Sequence, residues 1–253
     1  MFELKNILVR TWVLIVFICL WEILVYFKIW SPALIASTHD TLIDLISLIA
    51  DGQLWMHLST SLSRIFWGAL SGTIIGSVFG LLLGTFKNFK LQLSLIISII
   101  YSIPPLALIP FFIIAFGIGE FTKIALIFIT FFIISSLHAS DGILQTHQNF
   151  IHLADLYEKS YLTKILDIWL PSSLSHIFTG FRLALFNSWS ILITSEIIAS
   201  SSGIGWFLWS SRQFSRSDDM MVAILTIGVL GFLSDWMIIQ AQQRLLHWQE
   251  KMI

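Results

Sequence analysis

Residues 62–86 read LSRIFWGALSGTIIGSVFGLLLGTF, an apolar stretch long enough to cross a membrane. Within it, a glycine stands at every fourth position, at Gly68, Gly72, Gly76, Gly80 and Gly84. Because residues four apart share one face of a helix, the five glycines form a smooth stripe that another backbone can approach closely. The pattern therefore favours tight packing of this helix against a second one.

The composition of the whole chain is that of an integral membrane protein. Of its 253 residues, 57% are hydrophobic and 11% are charged, and the mean hydropathy is +0.86. With about 20 apolar residues for each crossing, the chain supplies about six spans and leaves no room for a second soluble domain. The formal net charge of -1 provides no basic patch, so nucleic acid is not expected as a ligand. The single cysteine, Cys19, excludes an intrachain disulfide and is interpreted as a small core hydrophobe.

The apolar segments predict an all-α bundle of about six transmembrane helices in one domain, residues 1–253. A first helix at 11–29 follows Lys5 and lacks a small-residue cleavage site, so we expect it to stay uncleaved. The core region is predicted at 60–240. The predicted spans are 12–27, 62–86, 93–116, 123–138, 175–200 and 220–240.

Lysine and arginine positions predict the orientation of this bundle. With the amino terminus in the cytoplasm, the cytoplasmic segments hold the larger number of these residues, which favours both termini inside. Arg64 and Arg182 lie near span ends and fit either side. The inside group is Lys5, Arg10, Lys87, Lys90, Lys159, Lys164, Arg244 and Lys251, and the outside group is Lys28, Lys123, Arg212 and Arg216. The polar interruption at 141–171 is then a cytoplasmic loop that meets a soluble partner.

Two features interrupt the spans. Pro104, Pro105 and Pro110 remove backbone donors from the third span, so we expect a break that either lines a cavity or is a purely structural kink. Arg182 and Glu196 lie within the fifth span, roughly 21 Å apart along a helix, too far to pair with each other. Each needs a partner elsewhere or a wet cavity. They mark either a functional site or positions near the two membrane interfaces, and Asp235 in the last span has the same ambiguity.

Motifs for catalysis are missing from the sequence. It has no phosphate-binding loop of the Gly-x-x-x-x-Gly-Lys-Ser/Thr type, no His-Glu-x-x-His zinc motif and no Gly-x-Ser-x-Gly nucleophile elbow. We therefore expect no catalytic residue, no bound metal and no cofactor on this chain. Four histidines near the polar loop match no metal-binding pattern and are interpreted as solvated: His138, His147, His152 and His176. Several tryptophans near span ends predict an interfacial aromatic belt: Trp30, Trp55, Trp206 and Trp209.

Several motifs stand in register over most of the chain. They are Ser61-Leu62-Ser63-Arg64 with the glycine stripe, the segment from Ile103 to Pro110, Phe116-Gly117-Ile118-Gly119-Glu120, Leu170-Pro171, Gly180-Phe181-Arg182-Leu183-Ala184, Glu196-Ile197-Ile198-Ala199 and Gly203-Ile204-Gly205. Together they resemble the permease subunits of ABC importers in the nitrate, sulfonate, taurine and bicarbonate family. The resemblance implies the type I ABC importer (MetI-like) permease fold in a bacterial inner membrane. It also implies a second copy of the chain, two separate ATPase subunits that bind ATP and Mg²⁺, and an extracytoplasmic substrate-binding protein.

In this family the cytoplasmic loop carries a coupling helix that docks on the ATPase. Its pattern begins Glu-Ala-Ala, continues to a glycine four residues later and ends near Leu-Pro. The resemblance places this pattern at His152, Leu153, Ala154, Glu158 and Leu170-Pro171, where only the second alanine and the Leu-Pro pair match. These departures predict a matched, divergent ATPase partner.

The resemblance implies alternating access through a path bordered by the second, third and fifth spans. The glycine stripe, the three prolines, Arg182 and Glu196 are candidates for this path or for helix packing. One alternative is a permease-like scaffold or regulator that has lost transport. Another is an intramembrane enzyme that uses Arg182, Glu196 and the loop histidines, although the predicted topology separates Glu196 from those histidines by most of a bilayer. The sequence does not identify a transported solute.

Overall fold

A computed structural model describes residues 2–29 and 34–246, and all regular elements in these ranges are helices. The predicted all-α class is therefore confirmed. The helices are α1 (Phe2–Tyr26), α2 (Thr38–Ala50), α3 (Gln53–Thr85), α4 (Lys87–Ser102), α5 (Ile109–Phe116), α6 (Glu120–Leu144), α7 (Gln148–Leu156), α8 (Tyr161–Lys164), α9 (Leu170–Ala199), α10 (Ile204–Gln213) and α11 (Ser217–Leu245). Predicted residues Trp30 and Lys251 lie outside the described ranges.

Within the described ranges, four segments are long and apolar enough to cross a membrane: Gln53–Thr85, Glu120–Leu144, Tyr161–Ala199 and Ser217–Leu245. Leu95–Ser102 and Pro105–Phe116 would form a fifth span, but their axes are bent by 87°. This bend is the break that the prolines predicted. A shorter apolar stretch, Ile15–Tyr26, lies in α1. A span at each of these six places stays a prediction.

The polar interruption is far more helical than the predicted loop at 141–171. Helix α6 continues to Leu144, α7 follows after three residues, and α8 runs through a π-helical turn, Ile165–Trp169, directly into α9. Local capping explains two of these helix starts: the His147 ring accepts a hydrogen bond from the Asn149 N–H, and the Ser160 hydroxyl accepts one from the Thr163 N–H. Polar composition alone favours a loop here, whereas the capping residues extend helical structure into the segment.

The chain divides into two compact units. The larger one comprises Ser61–Ser200 and the residues from Leu230 onward. Its centre is α6, which packs along α9 and also along the glycine stripe of α3. A Cβ atom added at Gly72 would lie 2.6 Å from the Phe128 carbonyl oxygen, and one at Gly76 would lie 2.5 Å from that of Phe132. The stripe is therefore a packing surface along its length.

The core of this unit surrounds α6. Ile127 and Phe131 of α6 are fully buried against Ala184 and Leu192 of α9. Gly142 and Gly180 allow α6 and α9 to approach closely at two more positions, since a Cβ at Gly180 would lie 2.8 Å from the His138 Cβ. Close backbone approach at small residues is how helices pack in membranes, where lipid removes the hydrophobic driving force between them.

The smaller unit comprises residues up to Thr60 together with Ser201–Val229. Its buried apolar cluster includes Leu48, Leu54, Phe207 and Val222. Glu22 of α1 accepts hydrogen bonds from the backbone and side chain of Thr38, which joins α1 to the start of α2. Cys19 is exposed, so its interpretation as a core residue was wrong: it lies on a helix surface made of apolar residues, which resembles a core in the sequence alone.

Candidate functional site

The most concentrated group of charges in the larger unit surrounds Arg64 of α3. Its Nη1 donates a 2.6 Å hydrogen bond to Glu196 Oε1 of α9. Its Nε and Nη2 donate to the two carboxylate oxygens of Glu120, both at 2.6 Å. The hydroxyl of Ser61 also donates to Glu196 Oε1, at 2.8 Å. One guanidinium thus joins the beginning of α6 to the end of α9.

Burial differs sharply among the members of this network. Arg64 and Glu196 are 1% and 0% exposed, and Lys123, which donates to Glu120 Oε1 at 3.1 Å, is 4% exposed. Glu120 itself is 59% exposed. The network therefore combines three buried charged groups with one exposed carboxylate. Removing one partner of a buried ion pair strongly destabilises the folded protein, because the remaining buried charge is no longer compensated.

Arg182, the other charge predicted within the fifth span, has a different partner. It forms a two-armed ion pair with Asp235 of α11, in which Nη2 donates to Oδ2 at 2.8 Å and Nε donates to Oδ1. The two side chains are 47% and 42% exposed. Both lie well inside candidate spans, where a charged pair exposed to lipid is costly, so this pair marks a surface that is covered or wet in the membrane.

A cavity lies beside the proline break. Its volume is about 230 Å³, and its walls come from the end of α4, the break itself, α6 and α9. The lining residues are Ile100, Tyr101, Ile103, Pro105, Leu108, Ile129, Thr130, Ile133, Ile134 and Asn187. Thr130 and Asn187 donate to carbonyls of their own helices, at Leu126 and Leu183. The cavity is thus mainly apolar with a few polar groups, the usual character of a small-molecule pocket.

Helix α7 lies at the positions where the coupling helix was predicted. Glu158 follows its end with φ of 50°, in the left-handed region. The Lys159 N–H donates to the Ala154 carbonyl and the Glu158 N–H donates to the Asp155 carbonyl, both at 3.0 Å. This is the Schellman arrangement, which favours glycine at the left-handed position. The family pattern has a glycine at this place, and the backbone geometry gives the physical reason.

The predicted site residues fall into separate places in the larger unit. Glu196 joins the Arg64 network, Arg182 joins Asp235, and Pro105 lines the cavity. His152, Leu153 and Glu158 lie in or after α7, whereas Leu170 and Pro171 begin α9. The glycines contact α6. Arg182 and Glu196 thus have different partners, and neither is joined to the loop histidines by any described hydrogen bond or ion pair.

The site residues predicted from the sequence do not include Arg64, Glu120 or Lys123, which form the centre of this network. Lys123 was counted among the outside charges, yet it is buried. A usable signal was present, because an ionisable group in an apolar helix needs a partner, and the Ser61–Arg64 and Phe116–Glu120 motifs supply charges at the same predicted side as Glu196. The described ranges also contain one group of carboxylates with the spacing of metal ligands, Asp44, Asp218 and Asp219 in the smaller unit, of which Asp219 is paired with Arg216.

The helix content and the apolar candidate spans, one of them broken at prolines, are those of a polytopic membrane protein. Residues 72–247 match the model of the family described as binding-protein-dependent transport system inner membrane component. The chain belongs to this family of ABC transporter permeases.

Curated relatives cover nearly the full chain. It is 30% identical to a putative aliphatic sulfonates transport permease protein of Bacillus subtilis (strain 168), over 92% of this chain and 85% of the relative. It is also 30% identical to the taurine transport system permease protein of Escherichia coli (strain K12), over 93% of this chain and 87% of the relative. The predicted family resemblance is confirmed.

A solved structure agrees on the fold. An inward-facing conformation of the MetNI methionine ABC transporter matches with a TM-score of 0.65 and 18% identity, covering 77% of this chain and 96% of that chain. At 18% identity this match shows similarity of fold alone, and it confirms the predicted MetI-like architecture.

Proposed function

We propose that this chain forms the substrate path of an ATP-driven importer and works by alternating access. Two copies of it stand together in the inner membrane, with both termini in the cytoplasm. Two separate ATPase subunits hold ATP and Mg²⁺, and an extracytoplasmic binding protein delivers the solute. The chain itself performs no bond chemistry. Membership of the binding-protein-dependent transport family supports this proposal.

The surface of helix α7 is the observation that supports coupling to an ATPase. Phe150, Leu153 and Leu156 are 52%, 50% and 80% exposed, whereas Ala154 on the same helix is buried. Exposed apolar side chains grouped on one short helix are typical of a surface that binds a partner. The Schellman end fixes the direction in which the chain leaves this helix. A helix that carries exposed apolar side chains and lies between two spans can transmit the closure of an ATPase to α6 and α9.

The path is supported by two further observations. The cavity beside the proline break lies against α6 and α9, which pack closely against each other. The half-exposed pair of Arg182 and Asp235 lies within the apolar lengths of α9 and α11, where a wet path or a second copy would cover it at lower cost than lipid. The proline break and α9 are the parts expected to border the path, whereas the glycine stripe packs on α6.

Co-purification tests this proposal directly. The tagged chain is isolated from its native membrane and its partners are identified, and ATP hydrolysis is then measured in lipid with and without the binding protein. We expect an ATPase subunit in equal amount and hydrolysis that rises with the binding protein. The Leu156→Asp variant should lose most of the ATPase, since it places a charge in the docking surface. Asn149→Asp adds the same charge at an exposed polar position of α7 and should retain it.

Absence of any ATPase from the purified wild-type complex would overturn the importer proposal and leave a permease-like scaffold or regulator. Equal amounts of the ATPase subunit with the Leu156→Asp and Asn149→Asp variants would overturn the proposed role of α7. The importer proposal itself would stand. The two failures are therefore distinguishable.

A further inference from the structure

We propose that Arg64 and Lys123 form a binding site for the oxoanion group of a small solute, a carboxylate or a sulfonate, and that Glu120 occupies this site until the solute displaces it. The proposal rests on the proposed import function, because it gives the solute a place of contact beside Arg64 of α3, at the beginning of α6 and the end of α9. In this proposal the Glu120 carboxylate competes with the solute for Arg64 and Lys123.

The contacts made by Glu120 are those of a bound carboxylate ligand. Arg64 directs Nε and Nη2 at its two oxygens, both at 2.6 Å, and Lys123 Nζ adds a contact to Oε1 at 3.1 Å. This two-armed arrangement matches any group with two adjacent anionic oxygens, and arginine is the side chain best suited to hold it. A solute carboxylate or sulfonate presents the same pair of oxygens.

Burial shows which member of the group can leave. Arg64 and Lys123 are 1% and 4% exposed, but Glu120 is 59% exposed. When Glu120 moves out, the two cations face the opening that it filled. Arg64 keeps its orientation, because Nη1 remains bonded to Glu196. The site is thus held in place before the solute arrives.

The chain before Glu120 has space to move. Gly117 has φ of 78°, and a Cβ atom added at Gly117 or at Gly119 would meet no atom within 4 Å. Ile118 between them is 75% exposed. Glu120 is also the first residue of α6, a helix of 25 residues whose amino terminus favours negative charge near it. An anion that replaces Glu120 keeps this interaction.

Charge balance selects the class of solute. The charges of Arg64 and Lys123 are balanced by those of Glu196 and Glu120, so these four charges sum to zero while Glu120 is in place. A solute with one negative charge restores that neutrality after Glu120 leaves. An uncharged solute would leave a buried positive charge without compensation, which is costly. The site therefore accepts small monoanions and rejects neutral molecules of the same size.

Calorimetry on the purified full-length chain in lipid discs tests the site without an ATPase. Methanesulfonate and acetate are the probes, and chloride at matched ionic strength is the background. Wild type should bind methanesulfonate saturably. Glu120→Ala should bind methanesulfonate at least about ten-fold more tightly, because the Glu120 carboxylate no longer occupies the site and competes with the solute. Lys123→Gln should bind methanesulfonate about ten-fold more weakly. The double variant, with Glu120→Ala and Lys123→Gln, should lose the gain in affinity that Glu120→Ala alone produces.

Two controls and one replacement variant keep the test decisive. Asp155→Ala removes a carboxylate that faces Lys164 outside this group, and it should leave the affinity unchanged. Glu120→Gln keeps the hydrogen-bonding shape while losing the charge, so it replaces Glu120→Ala if that variant does not fold. Acetamide, the neutral counterpart of acetate, should not bind.

Saturable binding to Glu120→Ala without any to wild type would show that the solute does not displace Glu120, and the proposal would be overturned. Equal affinity in wild type and Lys123→Gln would overturn it as well. Binding as expected combined with failure to recover an ATPase would overturn the proposed import function and leave the anion site standing.

Discussion

At the scale of single residues, Arg64 explains how three distant segments of the chain are brought together. It bonds to Glu120, 56 positions away, and to Glu196, 132 positions away. A guanidinium that is 1% exposed within an apolar helix is tolerated only when its charge is compensated. The motifs containing Arg64, Glu120 and Glu196 therefore act as one electrostatic unit.

We expect the Glu196→Gln variant to lower the free energy of unfolding by about 3–5 kcal/mol, since it removes the fully buried partner of Arg64. Thermal or denaturant unfolding of the purified protein in detergent measures this loss. Asp155→Asn is the matched control, because it neutralises a carboxylate in an ion pair near the surface, where the expected loss is at most about 1 kcal/mol. Equal losses in the two variants would contradict the prediction.

Glu158 gives a second prediction at this scale. Its φ of 50° is unfavourable for a residue with a side chain, by roughly 1–2 kcal/mol. The Glu158→Gly variant should therefore stabilise the end of α7 by about 1 kcal/mol and slow amide hydrogen exchange of Glu158 and Lys159.

Lys159→Gly is the control for this change, because Lys159 is not among the residues with positive φ. It should give no stabilisation, since glycine there only adds freedom to the unfolded chain. Faster exchange in the Glu158→Gly variant would show that the backbone at this position is not the source of the effect.

At the scale of helices, the approach of α3 to α6 depends on the missing side chains of the stripe. An added Cβ at Gly76 would lie 2.5 Å from the Phe132 carbonyl oxygen and 2.8 Å from its Cα, both of them backbone atoms that cannot rotate away. The helices would have to separate. This differs from a glycine on an open helix face, where a methyl group meets nothing.

The Gly76→Ala variant should accordingly lose about 1–3 kcal/mol of stability through overpacking. Gly231→Ala is the matched control in α11, because a Cβ at Gly231 has no neighbour within 4 Å, and its higher helix propensity predicts no loss. Melting temperatures of the two variants in the same detergent provide the comparison. A Gly76→Ala variant as stable as Gly231→Ala would mean that α3 and α6 are further apart in the membrane.

At the scale of the whole molecule, the orientation in the membrane sets where each partner binds. The predicted orientation places α7 in the cytoplasm and the segment before α6 outside, with α6 crossing between them. This chain is convenient for a test, since Cys19 is its single cysteine. In a Cys19→Ser background, cysteine can be introduced at one position at a time.

We expect the Ile118→Cys variant to react with a membrane-impermeant thiol reagent in intact spheroplasts, and the Leu156→Cys variant to react only after permeabilisation. Both positions are well exposed, at 75% and 80%, so the reagent can reach each from its own side. Labelling is read by mass shift on a gel. The reverse pattern would invert the bundle and move the proposed oxoanion site to the cytoplasmic side, and labelling of both in intact cells would contradict a single crossing by α6.

The sequence by itself determined the class of the protein and most of its elements. Hydropathy, the four-residue glycine period and the prolines act over a few turns of chain, so the all-α fold, the packing helix and the break near Pro104 and Pro105 could be read directly. Family motifs added the position of α7. Helix ends do not follow from hydropathy in the same way, because capping at His147 and Ser160 extends helical structure into a polar segment.

Only the tertiary structure decided which charges meet. The sequence identified Arg182 and Glu196 as charges in need of partners, but their partners, Asp235 and Arg64, are 53 and 132 positions away. Such a pairing depends on which faces of α3, α6, α9 and α11 come together, and that depends on packing between helices rather than on any local pattern. Lys123 shows both effects: its contact with Glu120 is a local pair three residues apart on α6, whereas its burial, at 4% exposed, depends on the packing between helices.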